Sequence, residues 1–296
     1  MLGIPGLWIL LFFVVAFLYS AVGHGGASGY LALMSIWHLA PEHMKPVALI
    51  LNLVVSGIAF VQFYRQGHFL WRLFLPIAAL SIPMAYLGGF TPLKDDVYQL
   101  GLGVFLVISV VLLNVNLRGG ISLKNDDEQG VLANETLHSS RGFVWIAAIL
   151  GGGIGYVSGL LGIGGGILLS PVLLLLGWTQ QKQTAAMGAA FIFVNSMSGL
   201  VGFVQQHPLW ESTAQELFEQ LSAEKKIGIA DPAITGGSVL GIYWLSVSMI
   251  VGALITPVIL GGVAGSWYGS KKFSHRGMKG ILSVVLLIAA IKLLLR

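Results

Sequence analysis

Three stretches of this chain hold no Asp, Glu, Lys or Arg: residues 1–41, 142–181 and 232–270. Each is longer than the roughly 20 residues an α-helix needs to cross the hydrocarbon of a bilayer. This limits the fold more than any other feature, because an unpaired backbone N–H or C=O in hydrocarbon is costly. Only helices or a closed barrel satisfy all those groups internally. Barrel strands alternate apolar and polar side chains, these runs do not, and the barrel is excluded. Composition agrees, with 56% of residues hydrophobic and 9% charged, against about 25% charged in an ordinary soluble domain. The sequence therefore specifies an all-α polytopic protein of the plasma or inner cell membrane, in contact with lipid. Residues 5–22 lack a basic leader and a small-x-small cleavage site, so they read as a retained helix rather than a signal peptide. The chain has no Cys, which removes disulfide frameworks and thiolate metal sites. Its net charge of +4 belongs to basic cytoplasmic loops, since no basic stripe interleaved with aromatics points to nucleic acid.

Apolar segments fall at about 5–22, 28–39, 44–64, 70–90, 97–116, 142–161, 166–178, 183–205, 238–270 and 277–295. Ten transmembrane segments are expected, of which the second and seventh are short. About twelve residues at 1.5 Å each reach only ~18 Å. Residues 117–141 are rich in turn formers and mixed charge and read as a polar linker between a first transmembrane repeat, 1–116, and a second, 142–296. A further stretch at about 206–237 reads as an extramembrane loop, with Trp210, Leu217, Phe218 and Leu221 on one face of an amphipathic helix at the membrane surface.

The halves match. Gly23, Gly25 and Gly26 align with Gly162, Gly164 and Gly165 at a spacing of 139 positions, and Asn52 followed by Phe60-Val61-Gln62 aligns with Asn195 followed by Phe203-Val204-Gln205 at 143. Two matches in the same order indicate an internal duplication, with about four residues gained between glycines and Asn in the second half. Basic residues set the orientation. With the N-terminus outside, one side holds Arg65, Arg72, Arg118, Lys124, Arg141, Lys182, Lys271, Lys272, Arg276 and Lys279, while the other holds Lys45, Lys94, Lys225, Lys226, Lys292 and Arg296. The heavier side is cytoplasmic. Five crossings per half, an odd number, make the two repeats inverted.

Glycine clusters between an apolar helix and a short helix free the backbone to approach a ligand and open a helix N-terminus, where N–H groups and the dipole favour an anion. Two inverted clusters can bring two N-termini together near the midplane. This makes Gly23, His24, Gly25, Gly26, Ala27 and Ser28 of the first half, and Gly162, Ile163, Gly164, Gly165 and Gly166 of the second, candidate substrate-binding residues. The alternative role is close helix packing, which suits Gly151, Gly155 and Gly159, and Gly261, Gly265 and Gly269, at four-residue spacing. The run Gly162–Gly166 is not a dinucleotide fingerprint, because no strand precedes it and no acidic ribose partner follows.

Asn52 and Asn195 are amides inside apolar helices and must each find a partner, either a backbone carbonyl or the ligand. Both are candidate substrate-binding residues. Gln62 and Gln205 lie nearer helix ends and read as interfacial. His24 stands where the second cluster has Ile163; it either adds charge and carries a coupled proton, or holds the loop as a neutral imidazole. The other histidines fall in loops or at segment ends, and no pair has metal-site spacing, so neither metal nor cofactor is expected. No paired intramembrane carboxylate, nucleophile elbow or His-Glu motif suggests an enzyme.

With these residues in view, GLLGIGGGILLSPVLLLLGW and QTAAMGAAFIFVNSMSGLVG in the second half, and their looser copy AVGHGGASGYLALMSIWHLAPEHMKPVALILNLVVSG in the first, resemble the sulfite exporter TauE/SafE family of membrane permeases. The similarity covers nearly the whole chain, least in the linker and the 206–237 loop. It implies a compact fold of two repeats and secondary transport, as export, of a small sulfur-containing anion such as sulfite or an organosulfonate. His24 in place of an apolar residue, and Ala27 where the other half has Gly166, are departures that bear on substrate choice. An anion channel, a carrier of a different small anion, and a structural or sensory membrane protein are the competing readings.

Overall fold

The computed structural model describes residues 6–39, 41–114, 141–206, 232–271, 287–288 and 290–294. Among them are nine helices and no strand: α1 (Gly6–Ala21), α2 (Ala27–Ile36), α3 (Pro41–Arg65), α4 (Trp71–Phe90), α5 (Asp95–Asn114), α6 (Arg141–Leu161), α7 (Gly166–Leu175), α8 (Gln181–Gln206) and α9 (Pro232–Lys271). The chain is helical again at 287–288 and 290–294. Six helices, α3 to α6, α8 and α9, are long and apolar enough to cross a membrane, while α1, α2 and α7 are shorter apolar helices. Nine of the ten apolar segments of the sequence fall on these nine helices, the tenth is described only at 287–288 and 290–294, and the expected short ones, α2 and α7, have 10 residues each. Residues 117–140 of the linker and the amphipathic stretch centred on Trp210 to Leu221 lie outside the described residues, and Arg141, assigned to the linker, opens α6. α9 begins at Pro232, so the end of the region assigned to the 206–237 loop belongs to this helix.

The helix boundaries follow local chemistry. α5 opens on Asp95 and Asp96, and α3 and α9 close on Arg65 and Lys271, so each charge faces the complementary end of its helix dipole. Large apolar side chains such as Leu75, Leu100, Trp145, Ile149 and Leu260 are exposed on the outside of the bundle, as lipid-facing positions require.

The helices pair across the two halves. α4 packs along α6, and α1 along α9; α4 also packs on α8, and α9 on α3. Each of these four pairings has a counterpart when the halves are exchanged. Two glycine ridges make the closest of these contacts. A Cβ added at Gly151, Gly155 or Gly159 would overlap the carbonyls of Ile77, Ser81 or Ala85 on α4, and one at Gly261, Gly265 or Gly269 would overlap those of Phe13, Phe17 or Ala21 on α1. Both ridges therefore have the packing role assigned from their spacing, since small residues let backbones approach without side-chain interference.

α3 and α8 meet at the centre. Asn52 bonds Ser196, and Lys45, seven residues earlier on α3, lies over Phe203, seven residues later on α8, so the two helices run antiparallel. The same arrangement sets the α3–α4 loop beside the start of α8, where burial and then Lys182 hold the His68 imidazole below its ordinary pKa.

Candidate functional site

Both glycine clusters break the chain in the same way. At the end of α1 the His24 N–H donates to the Tyr19 carbonyl at 2.8 Å, with Gly23 left-handed at φ 76°. At the end of α6 the Ile163 N–H donates to the Ser158 carbonyl at 3.1 Å, with Gly162 at φ 74°. These are Schellman-type stops, in which the glycine takes a conformation that costs a residue with Cβ about 1 kcal/mol or more. A further left-handed glycine, Gly26 at φ 95° and Gly165 at φ 75°, then starts α2 and α7, and the second cluster has one more at Gly164, φ 76°, where Gly25 of the first is not left-handed. Both short helices end alike: Leu39 N–H donates to the Met34 carbonyl past His38 at φ 60°, and Trp178 N–H donates to the Leu173 carbonyl past Gly177 at φ 66°.

One side chain joins the two clusters. Asn52 is fully buried; its Oδ1 accepts the Ala27 N–H at 3.1 Å, which satisfies one of the first-turn donors of α2. Its Nδ2 donates to the Ser196 hydroxyl at 3.1 Å and to the Ile163 carbonyl at 3.4 Å. Gly25 and Gly164 are the surfaces it packs against, since a Cβ at either would overlap both the Asn52 amide and Ile192.

Beside this junction lies a narrow cleft walled by Tyr19, His24, Gly25, Gly26, Ala27, Ser28, Ile163, Gly166, Ile167 and Ile192. It is closed down too far to admit a water-sized sphere. The starts of both α2 and α7 face it, and first-turn N–H groups have no acceptor within their own helix. Its polar side chains are few. The Tyr19 hydroxyl and Ser28 Oγ share a hydrogen bond of 2.8 Å, and the His24 Nδ1 lies 3.1 Å from the Val22 carbonyl. The arrangement provides backbone donors and one imidazole in an apolar surround, chemistry suited to a small anion that sheds its water.

A model of the sulfite exporter TauE/SafE family matches residues 8–293. The chain belongs to this family. It is similar to a "Probable membrane transporter protein", y4hK, of Sinorhizobium fredii (strain NBRC 101917 / NGR234), at 34% identity over 283 residues, covering 96% of this chain and 95% of the relative. No solved structure matches it. Membership makes it a multi-pass membrane transporter, and its clusters and cleft are features of a TauE/SafE chain.

Of the residues singled out in the sequence, His24, Gly25, Gly26, Ala27, Ser28, Ile163 and Gly166 wall the cleft. Gly23, Gly162, Gly164 and Gly165 shape the turns behind it, and Asn52 ties the turns together. Asn195 lies elsewhere. It is buried, but its Oδ1 accepts the Ser81 hydroxyl of α4 at 2.5 Å and its Nδ2 has no partner among the described residues. Gln205 bonds Tyr86 at an exposed position. Contacts also revise the register. Gly25 and Gly164 each meet Asn52 and Ile192, so Ile192, not Asn195, is the spatial counterpart of Asn52, and the second half has gained one residue by this point rather than four.

Four participants have no sequence signal of this kind. Tyr19 aligns with Ser158, and Ile167 and Ile192 are apolar residues among many. Lys45 reads as a basic residue at the edge of the 44–64 segment, facing one side of the membrane, yet α3 begins at Pro41 and leaves Lys45 only 6% exposed inside the bundle.

Proposed function

We propose that this protein is a secondary transporter that exports a small sulfur-containing anion, sulfite or a sulfonate, held in the cleft between the N-termini of α2 and α7. The observation that carries this reading is that residues of both glycine clusters face one cleft, with Asn52 fixing their separation. Two convergent helix starts direct partial positive charge to a point where irregular backbone is tolerated because protein surrounds it. His24 is the imidazole at that point, available to carry charge or a coupled proton. Ten crossings in two inverted halves complete the proposal, supported by the antiparallel α3 and α8 and by helix pairings that exchange the halves. The closed cleft favours a gated carrier over an open anion pore. The test is flux of sulfite and of isethionate in proteoliposomes. A carrier gives saturable, gradient-stimulated flux and a channel gives flux linear in concentration. Absence of flux for sulfite, isethionate, sulfoacetate and thiosulfate alike overturns the sulfur-anion reading.

A further inference from the structure

Lys45 is a cation inside the bundle whose charge no carboxylate balances among the described residues. It is 94% buried by its 6% exposure, one N–H of its ammonium reaches the Gly89 carbonyl at 3.2 Å, and the ammonium stands 5.2 Å from the centre of the Phe203 ring. An ammonium has three donors, and one carbonyl uses only one of them. A buried charge without a counter-ion is expensive, so chains retain one where it has work to do.

Its place is informative. Lys45 and Asn52 are seven residues apart on α3, two helical turns, so they lie on one face about 10 Å apart along the axis. The Lys45 stem packs on Gly162, the glycine that stops α6 at the second cluster. Across the pseudo-twofold, Gly23 packs on Ala185 in the same manner. The cleft therefore has a cation on one flank, toward the membrane face where α3 begins, and an alanine methyl on the other.

We propose that Lys45 is a second anion-binding position, a way station that receives the sulfur anion between the cleft and the face of the membrane at which α3 starts. The proposal rests on the transport reading above and adds a charged site that the two glycine clusters do not contain. The Gly89 carbonyl and the Phe203 ring hold the ammonium while the station is empty; an anion then takes its remaining donors in charge-assisted hydrogen bonds. Because the opposite flank has Ala185, charge acts on one side only, and the two directions of passage are unequal.

The test uses the full-length protein and two variants, Lys45→Met, which keeps the apolar stem, and Lys45→Arg, which keeps the charge. Sulfite flux is measured in oriented proteoliposomes alongside the melting temperature of each protein in detergent. The expected result is a half-saturating sulfite concentration at least tenfold higher in Lys45→Met from the α3-start side, little change from the other side, and near-parent values in Lys45→Arg. An unchanged half-saturating concentration in Lys45→Met overturns the proposal. So does flux that falls only in step with the folded fraction, which would make Lys45 a cap for the end of α4. If the parent itself carries no sulfur anion, the transport reading fails, and binding alone decides Lys45. Stabilisation of the purified protein by sulfate, present in Lys45→Arg and absent in Lys45→Met, then supports an anion site, and equal stabilisation of both overturns it.

Discussion

Replacing the two buried amides with alanine separates what the repeat made look equivalent. Asn52→Ala removes three hydrogen bonds, from the Ala27 N–H at 3.1 Å, to the Ser196 hydroxyl at 3.1 Å and to the Ile163 carbonyl at 3.4 Å. The hydroxyl can turn to a carbonyl one turn back in its own helix, as Ser56 does with the Asn52 carbonyl at 2.6 Å, so its loss costs least. The Ala27 N–H has no such escape at a helix start and bears most of the penalty. With about 0.6 kcal/mol per bond as measured on average inside membranes, and about 1–3 kcal/mol for a buried group left unpaired, the change destabilises by roughly 2–4 kcal/mol. Asn195→Ala removes one bond, from Ser81, and at the same time deletes an Nδ2 that has no partner among the described residues. Its net cost is about 0–1 kcal/mol beyond the cavity left behind, and that cavity is common to both variants. At ~2–4 °C per kcal/mol for a chain of this size, and apart from the cavity term common to both, Asn52→Ala should melt roughly 4–16 °C below the parent in detergent, and Asn195→Ala within about 4 °C of it. Equal shifts, or a larger one for Asn195→Ala, would refute the assignment of Asn52 as the tie between the clusters.

The cleft and the packing ridges respond to single methyl groups. Gly25→Ala has ordinary φ but drives its Cβ into the Asn52 amide and Ile192; sulfite flux should fall at least tenfold while the protein still purifies as a monodisperse peak, and unaltered flux would remove Gly25 from the site. Gly155→Ala meets the Ser81 backbone and should lower folded yield, whereas Gly153→Ala, whose Cβ has open space, should stabilise by about 0.5–1 kcal/mol through helix propensity; circular dichroism melts of the pair read both. The proposed inversion of the halves predicts the α3–α4 and α7–α8 loops on one side and the α4–α5 loop on the other. In a chain without cysteine, Gln66→Cys and Gln180→Cys should resist an impermeant thiol reagent in intact cells while Lys94→Cys reacts, and labelling of Gln180→Cys with Lys94→Cys would disprove inversion.

Charge-free runs and glycine spacing made the helical class, the ten segments and the two broken helices legible, because bilayer thickness and left-handed backbone act on residue type directly. Phase was harder. The matching letters around Asn52 and Asn195 suggested a four-residue gain where the structure has one, and the three residues between Ile192 and Asn195 are close to one helical turn, which returns a side chain near the same face one level along the axis. Letters alone could not tell Asn195 from Ile192 as the partner of Asn52; the contacts of Gly25 and Gly164 with both Asn52 and Ile192 do. Lys45 escaped for a related reason. Its position near a segment end fits a lysine that reaches outward to the headgroups, and which way such a side chain turns depends on its neighbours. Here Gly162 offers no side chain to exclude the stem, and the Gly89 carbonyl at the end of α4 receives the ammonium, so the residue turns inward. The glycine that stops α6 thus does two things at once: it lets the chain break at the second cluster, and it admits to that cluster's flank a charge that the first cluster, packed on Ala185, does not have.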